Sequence, residues 1–243
     1  MRKIIVLRRR TAFAGLIAIL FLLTQVGLLA YKQTAPSLYR MPGTFYQIKT
    51  DVKLVALTFD DGPNPNFTPK ILDILKKNDI HATFFILGKF ADKYPDLLVR
   101  IKNEGHEIGN HGFSHDYTQN HLVEDLIKTD QTVFTLTGSH TYFYRPPGGR
   151  ISKQQLNITK QYGHTVTLWS VDSDDWLNPG TNTIVKNVTG RVFPGSVILL
   201  HDGGDSHRNQ TVDSLQAIIE QLKDLGYDFI TVGEMKSMES PTK

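Results

Sequence analysis

The stretch KLVALTFDDGP, residues 53–63, begins as an apolar run and ends in two neighbouring carboxylates. Short runs rich in Leu, Val and Phe are typical of a strand that is covered on both faces, so residues 53–59 are predicted to form a buried strand. Asp, Gly and Pro are turn residues, and in isolation the segment that follows indicates only the end of that strand. Neighbouring side chains of an extended chain point in opposite directions, so one of Asp60 and Asp61 can ligate a metal while the other moves a proton.

A strand-then-helix alternation continues from this stretch towards the C-terminus. Apolar runs predict further strands at 82–87, 107–109, 142–144, 165–171, 196–200 and 229–232. Helical spacing of apolar residues predicts helices at 67–77, 91–103, 122–136, 153–162, 183–192 and 212–225. Repeated strand–helix units predict an α/β fold with a parallel sheet or barrel. We expect one domain over residues 51–236, followed by a short tail at 237–243.

Composition and charge exclude several classes of protein. The chain of 243 residues has no Cys, which excludes disulfide scaffolds, thiol nucleophiles, iron–sulfur clusters and Cys-ligated zinc. With 40% hydrophobic and 21% charged residues it is neither disordered nor a multi-span membrane protein. Six of the 27 Lys and Arg residues precede Gln33, where there is no acid, so the remainder is mildly acidic. No nucleic-acid partner is therefore expected.

Residues 1–31 predict a membrane segment. Five positive charges lie in residues 1–10, and the 21 residues from 11 to 31 carry none, which is long enough for a bilayer-spanning helix. A positive flank on the N-terminal side predicts a cytoplasmic N-terminus and an extracellular body. A cleaved signal peptide, leaving a secreted protein, is the alternative. We predict a single-pass anchor in the cell membrane, joined to the domain by a linker at residues 32–50.

Ionisable side chains follow the ends of several predicted strands, namely Asp60, Asp61, His111, Arg145, Asp172, Asp175 and His201. The carboxyl ends of parallel strands carry the active site in α/β folds, so one shared site is the simplest explanation. His111 and His115 have the i, i+4 spacing of a metal chelate. Two His and one Asp would leave positions open for water, as in hydrolytic metal centres. Zinc is favoured, although cobalt, manganese and iron also accept nitrogen and oxygen ligands.

Two further segments have both a functional and a structural interpretation. The prolines after Arg145 fix the backbone and would aim its side chain, but the residue could equally form a surface ion pair. The imidazole of His201 could act as a general acid at neutral pH, or could simply be hydrogen-bonded at the end of a strand. Trp176 could line a site or belong to the core. Each structural interpretation is at least as plausible as the functional one when the segments are considered singly.

Taken in order, the segments resemble the polysaccharide deacetylase family, also called the NodB homology domain or carbohydrate esterase family 4. The resemblance covers residues 53–232. Its motifs are TFDDGP at 58–63, His-x-x-x-His at 111–115, Arg-Pro-Pro at 145–149, Asp-x-x-Asp-Trp at 172–176 and Leu-x-His at 199–201. Gly112 departs from the pattern, since the family often has Ser or Thr there. The family implies a distorted (β/α) barrel of seven or eight strands.

The resemblance implies a role for each site residue. Asp60 would be the catalytic base, oriented by Arg145, and the general acid His201 would be paired with Asp175. A divalent metal ion would be held by Asp61, His111 and His115. The oxyanion would bind the backbone amide of Gly148, and the acetyl pocket would be shaped by Trp176 and Leu199.

The activity that the family implies is metal-dependent removal of N-acetyl groups from the amino sugars of an extracellular polysaccharide, with peptidoglycan as the expected substrate. An O-acetyl esterase acting on xylan or another wall glycan is one alternative. A glycan-binding homologue without turnover is another, although a pure binder needs no paired acid and base. The choice between GlcNAc and MurNAc, and the oligomeric state, stay open at this point.

Overall fold

The computed structural model describes residues 41–118, 120–204 and 208–239. The membrane segment predicted at residues 1–31 lies outside this part of the chain. Among the described residues, no helix has the length and apolar character needed to cross a bilayer.

Strands and helices alternate along the described residues. The strands are β1 (Leu54–Asp60), β2 (Thr83–Ile86), β3 (Glu107–Asn110), β4 (Phe143–Tyr144), β5 (Thr165–Val166), β6 (Val171–Asp172), β7 (Ser196–His201) and β8 (Asp228–Phe229). The α-helices are α1 (Thr68–Asn78), α2 (Gly88–Lys93), α3 (Pro95–Asn103), α4 (Leu122–Thr137), α5 (Lys153–Gln161), α6 (Thr181–Thr189), α7 (Asn209–Asp224) and α8 (Val232–Ser237). Short 3₁₀ helices cover Pro147–Gly149 and Asp175–Leu177.

The strands form a parallel sheet in the order β5-β4-β3-β2-β1-β7-β6, and β8 pairs with the start of β1. This arrangement is an α/β half-barrel, consistent with the predicted barrel of seven or eight strands. Residues 45–47 form isolated bridges that pair Phe45 with Thr167 and Gln47 with Ser196. The segment before β1 is therefore part of the β-structure.

Strand β1 is buried on both faces because helices cover one side of the sheet and the barrel interior covers the other. Leu57 and Phe59 join a core cluster with residues of the surrounding helices, including Ile71 and Leu215. Ala56 belongs to a second cluster with residues of neighbouring strands and of the N-terminal segment. Alternation along a strand then places Thr58 and Asp60 on the same face as Ala56.

The strand register brings the predicted site residues to one end of the sheet. On β1 and β7, Asp60 is paired with His201 and Thr58 with Leu199. Strand β3 ends directly before His111, and β4 ends directly before Arg145. Because all these strands are parallel, their carboxyl ends share one rim, as the sequence predicted.

Two predicted elements are interrupted in the structure. The predicted strand at 165–171 consists of the short strands β5 and β6, because the chain changes its neighbour in the sheet: β5 pairs with β4, whereas β6 pairs with β7. Between them, the carbonyls of Thr167 and Leu168 accept hydrogen bonds from Arg145. The predicted helix at 91–103 is divided between α2 and α3 because Pro95 has no backbone N–H to continue the first helix.

The folded domain starts upstream of the boundary predicted at residue 51. Phe45 and Ile48, which lie in the predicted linker, are only 3% and 5% exposed. The backbone amide of Phe45 donates to the carbonyl of Val166, and that of Ile48 donates to Gly195. Apolar side chains that fill the barrel interior are not visible as a periodic pattern in so short a segment, which explains why the sequence indicated a tether here.

Candidate active site

Asp60 is held at the end of β1 by Arg145. The carboxylate Oδ1 accepts a hydrogen bond of 2.7 Å from Arg145 Nη1, which also donates to Thr58 Oγ1 at 2.8 Å. The remaining donors of the guanidinium reach the carbonyls of Thr167 and Leu168. Arg145 has no exposed surface, so the surface-ion-pair interpretation is wrong. A planar guanidinium with acceptors on several sides fixes the orientation of the carboxylate that it binds.

Asp61, His111 and His115 converge in space. Asp61 Oδ1 lies 3.4 Å from His111 Nε2 and 3.2 Å from His115 Nε2, and the candidate ligand atoms of the three residues lie within 4.8 Å of one another. Burial alone would raise the pKa of the Asp61 carboxyl, but the two facing imidazoles hold that pKa well below its usual value. Asp61 therefore presents a charged carboxylate to the two imidazoles.

The donor set of this trio fits a divalent cation. His111 Nδ1 lies 2.6 Å from the backbone carbonyl of Arg145, and because a carbonyl can only accept, Nδ1 carries the proton in the neutral ring. Nε2 of His111 then directs a lone pair towards Asp61, whose buried Oδ1 has no hydrogen-bond partner. Burial lowers the pKa of His111, but the neighbouring Asp60 and Asp61 carboxylates raise it overall, so a proton on Nε2 can bridge the ring and Asp61. A divalent cation can take the place of that proton, and nitrogen and oxygen ligands suit zinc and related metals.

The loop that carries the two histidines is fastened by Asn110, which ends the GHEIGN stretch at 105–110 that also resembles the family, and by Asp125, which no motif indicated. Asn110 Oδ1 accepts from the Gly112 backbone amide at 2.7 Å, while Asp125 Oδ2 accepts from both the amide and the hydroxyl of Ser114. Gly112 has φ +83°, a conformation that suits glycine. The departure from the family at position 112 thus coincides with a left-handed turn that Asn110 holds in place.

His201 forms a buried pair with Asp175. His201 Nδ1 lies 2.7 Å from Asp175 Oδ1, and Asp175 Oδ2 accepts from the His201 backbone amide and from Thr211 Oγ1. Burial lowers the pKa of His201, but the adjacent Asp175 carboxylate outweighs this effect and the pKa rises to about 9. The imidazole is therefore protonated at neutral pH and has a proton to donate.

The remaining predicted site residues lie at the same rim. Gly148 is exposed, with φ +64°, in the turn after β4. Trp176 is 42% exposed on the 3₁₀ helix after β6, so the alternative that it belongs to the core is wrong. Leu199 is buried on β7, two residues before His201 and on the same face of the strand. The arrangement brings a carboxylate, a candidate cation site, an imidazole and a half-exposed aromatic side chain to one end of the barrel.

Known proteins are similar to this chain in sequence and in structure. The family described as polysaccharide deacetylase matches residues 47–167. A peptidoglycan-N-acetylglucosamine deacetylase of Bacillus cereus is 45% identical over 185 residues, which cover 74% of this chain and 67% of the relative. The chain belongs to the polysaccharide deacetylase family. The resemblance that the sequence motifs indicated is confirmed.

Solved structures of related polysaccharide deacetylases extend the comparison. A peptidoglycan N-acetylglucosamine deacetylase solved with 4-naphthalen-1-yl-N-oxidanyl-benzamide matches with a TM-score of 0.77 and 42% identity, over 79% of this chain and 92% of that one. A protein from Bacillus anthracis described as a CE4 family pseudoenzyme matches with a TM-score of 0.73 and 26% identity, over 81% of this chain and 69% of that one. Membership of the family therefore does not by itself decide turnover, which depends on the side chains of the site.

Some contacts of this polysaccharide deacetylase site could not be found from motifs. Thr211, which donates to Asp175, lies on α7 and is 36 positions away from its partner. Asp172, which the sequence grouped with the ionisable strand ends, instead closes a turn by accepting from Trp169 Nε1 and from the Asp174 backbone amide. No local pattern distinguishes a carboxylate that closes a turn from one that takes part in chemistry.

Replacing Arg145 with Ala should destabilise this polysaccharide deacetylase strongly. The substitution removes one partner of a buried ion pair and leaves Asp60 and two backbone carbonyls without their donor, a change that costs about 3–5 kcal/mol. Equilibrium unfolding in urea would measure the loss. Arg191→Ala is the matched control, because Arg191 pairs with Asp174 at the surface, where such pairs contribute about 0–1 kcal/mol. Equal losses for the two variants would contradict the assignment of Arg145 as a buried anchor.

Proposed function

We propose that this protein is a metal-dependent hydrolase that removes N-acetyl groups from amino sugars of peptidoglycan, with its catalytic domain outside the cell membrane. One observation carries the proposal. Asp60, fixed by Arg145, lies beside a three-residue cation site and on the strand adjacent to the protonated His201. A base and an acid on either side of one reaction centre are what amide hydrolysis requires, because an amine leaves only when it is protonated.

Asp61, His111 and His115 would hold the metal ion. When bound, a divalent ion would polarise the acetyl carbonyl and lower the pKa of water. We propose zinc, and the donor set also suits cobalt, manganese or iron.

Asp60 would take a proton from the attacking water. Its Oδ1 is engaged by Arg145, while Oδ2 lies 3.8 Å from His111 Nε2, at the border of the cation site. Oδ2 is thus the atom available to act as the base. Because Arg145 prevents rotation of the carboxylate, this oxygen keeps its orientation without rearrangement during the reaction.

His201 would donate a proton to the leaving nitrogen. Its Nδ1 is bonded to Asp175, so in the protonated ring Nε2–H remains for donation. The backbone amide of Gly148 would stabilise the oxyanion as a fixed donor. The side chains of Trp176 and Leu199 would contact the acetyl methyl group.

The substrate and location rest on the relatives and on the N-terminal sequence. A relative that is 45% identical is a peptidoglycan-N-acetylglucosamine deacetylase, which favours GlcNAc over MurNAc as the sugar that is deacetylated. The uncharged residues 11–31 behind a positive flank favour a single-pass membrane anchor with an outward catalytic domain. Cleavage of this segment would give a secreted form of the same enzyme.

The full-length protein in detergent should release acetate from purified peptidoglycan. We expect this release to stop after chelation and to return when zinc is added. His115→Ala should fail to retain stoichiometric metal, as measured by elemental analysis. His121→Ala is the matched control, because this exposed histidine pairs with Glu124 outside the cation site.

The same assay separates the alternatives. Acetate release that is unchanged by chelation would contradict the metal dependence. Release from acetylated xylan but not from peptidoglycan would favour an O-acetyl esterase. Saturable glycan binding without acetate release under any divalent metal would favour a binding protein. Mass spectrometry of the treated wall fragments would identify the sugar that loses its acetyl group.

A further inference from the structure

Tyr117 lies against two residues of the candidate site although it is 65% exposed. Its ring meets the His115 ring edge to face, with centroids 4.6 Å apart and an interplanar angle of 86°. On another side it approaches Gly148, where a Cβ atom would lie 3.2 Å from Tyr117 Cδ1 and Cε1. The ring therefore bridges the cation site and the turn after β4, and most of its surface faces solvent.

The turn that carries Tyr117 is fixed by the preceding carboxylate. Asp116 Oδ1 accepts hydrogen bonds from the amide and the hydroxyl of Thr118, and Asp116 Oδ2 accepts from the amide of Asn120 at 3.1 Å. A side chain on a fastened turn loses less conformational entropy when a ligand binds than one on a free loop. Tyr117 is in this sense preorganised.

The glycine at position 148 makes room for the ring. Gly148 combines φ +64° with the absence of a Cβ, so the Tyr117 ring can approach its backbone closely. A larger side chain at position 148 would have to occupy part of the space that the Tyr117 ring now fills. On this side of the site, the exposed surface is therefore formed by the Tyr117 ring, from the loop after β3, and not by a side chain of the turn after β4.

The strand order places Tyr117 and Trp176 on different sides of Asp60. Tyr117 belongs to the loop after β3, whereas Trp176 follows β6, and β1 with Asp60 lies between these strands in the sheet. An exposed aromatic ring thus flanks the central base on each side. Exposed aromatic faces beside a polar site offer apolar contact to ligands whose rings carry C–H groups on their faces.

We propose that Tyr117 is a substrate-binding residue, whose ring packs against a pyranose ring of the glycan and sets the affinity for sugar substrates. This inference deepens the proposed function and rests on it for the identity of the ligand. A pyranose presents C–H groups on its faces and hydroxyl groups at its edge, which matches an aromatic ring beside a polar rim. The acetyl group alone would not reach this contact, so the effect depends on the sugar.

The test compares a sugar substrate with one that has no sugar. Tyr117→Ala should lower kcat/KM for an N-acetylglucosamine tetramer about tenfold, chiefly through KM, because an aromatic contact is lost. Tyr117→Phe keeps the ring and should behave like the wild type. Hydrolysis of ethyl acetate, which has neither a sugar nor any other ring, should be unchanged in both variants. Tyr142→Ala is the matched control, since Tyr142 is 62% exposed but precedes β4 at the opposite end of the barrel.

Several outcomes would overturn the inference. An equal loss on the tetramer and on ethyl acetate would mean that Tyr117 acts through His115, and metal analysis of the variant would show the same defect. Unchanged kinetics on the tetramer would mean that the ring does not touch the sugar.

Calorimetric titration of the tetramer separates this inference from the proposed function. A wild type that binds the tetramer more tightly than Tyr117→Ala, yet releases no acetate, would refute the proposed function and leave the role of Tyr117 intact. Binding that is equally tight in the wild type and the variant would overturn the inference alone.

Discussion

Asp60→Asn should lower kcat for acetate release by about 10³-fold, because proton transfer by a positioned base contributes on that order to the rate. Asparagine has the same size and keeps an oxygen that can accept from Arg145 Nη1, but it cannot take a proton from water. The cation site should survive, since Asp61, His111 and His115 are untouched. Initial rates of acetate release from an N-acetylglucosamine tetramer, together with metal content, would measure both expectations.

The control for this variant is Asp174→Asn. Asp174 is also an acid near the rim, but it pairs with Arg191 at the surface and has φ +57°, a conformation that asparagine tolerates. We expect wild-type turnover. Asp60→Asn loses the charge that balances a buried guanidinium, so its unfolding midpoint must be measured as well. A folded, metal-loaded Asp60→Asn protein that turned over at near wild-type rates would refute the role of Asp60 as the base.

The central part of the fold was predictable because its strands and helices are encoded by the apolar pattern of each short segment. The apolar run before Asp60 forms β1, and helices appear where apolar residues recur with helical spacing. The segment at 165–171 was not predictable as two strands, since β5 pairs with β4 and β6 pairs with β7 on the other side of the sheet. The neighbour with which a segment pairs is set by tertiary structure and does not change the apolar pattern of the segment.

The candidate site was also predictable only in part. Asp61, His111 and His115 could be proposed as ligands because motif spacing and strand-end position are visible in the sequence. The contacts that support the site are not visible, since Asp125 contacts Ser114 in the loop of the two histidines from α4, and Thr211 contacts Asp175, the partner of His201, from α7. These contacts arise from the packing of helices on the sheet, which the sequence of the helix alone does not reveal.

His201 should control the alkaline limit of activity. A general acid must be protonated in the free enzyme, so kcat/KM should fall as the pH rises through the pKa of His201. Burial lowers this pKa and the Asp175 carboxylate raises it to about 9 in the metal-free site, and a bound dication would bring the limit below that value. His201→Ala removes the donor and should lower kcat about 10²- to 10⁴-fold at pH values below the alkaline limit, with a smaller difference above it. A pH profile of acetate release from the tetramer would measure both the limit and the loss.

Asp175→Asn isolates the electrostatic part of this effect. The substitution removes the charge that favours the imidazolium while burial continues to oppose it, so the pKa of His201 falls and the alkaline limit moves to lower pH. A bound dication would lower the pKa of His201 in the wild type and in the variant, so the difference between their limits keeps its sign. Asp213→Asn, an exposed acid on α7, should leave the limit in place. Removal of the carboxylate bonded to His201 Nδ1 must change the pKa of His201. An alkaline limit that is identical in Asp175→Asn and the wild type would therefore show that another group supplies the proton.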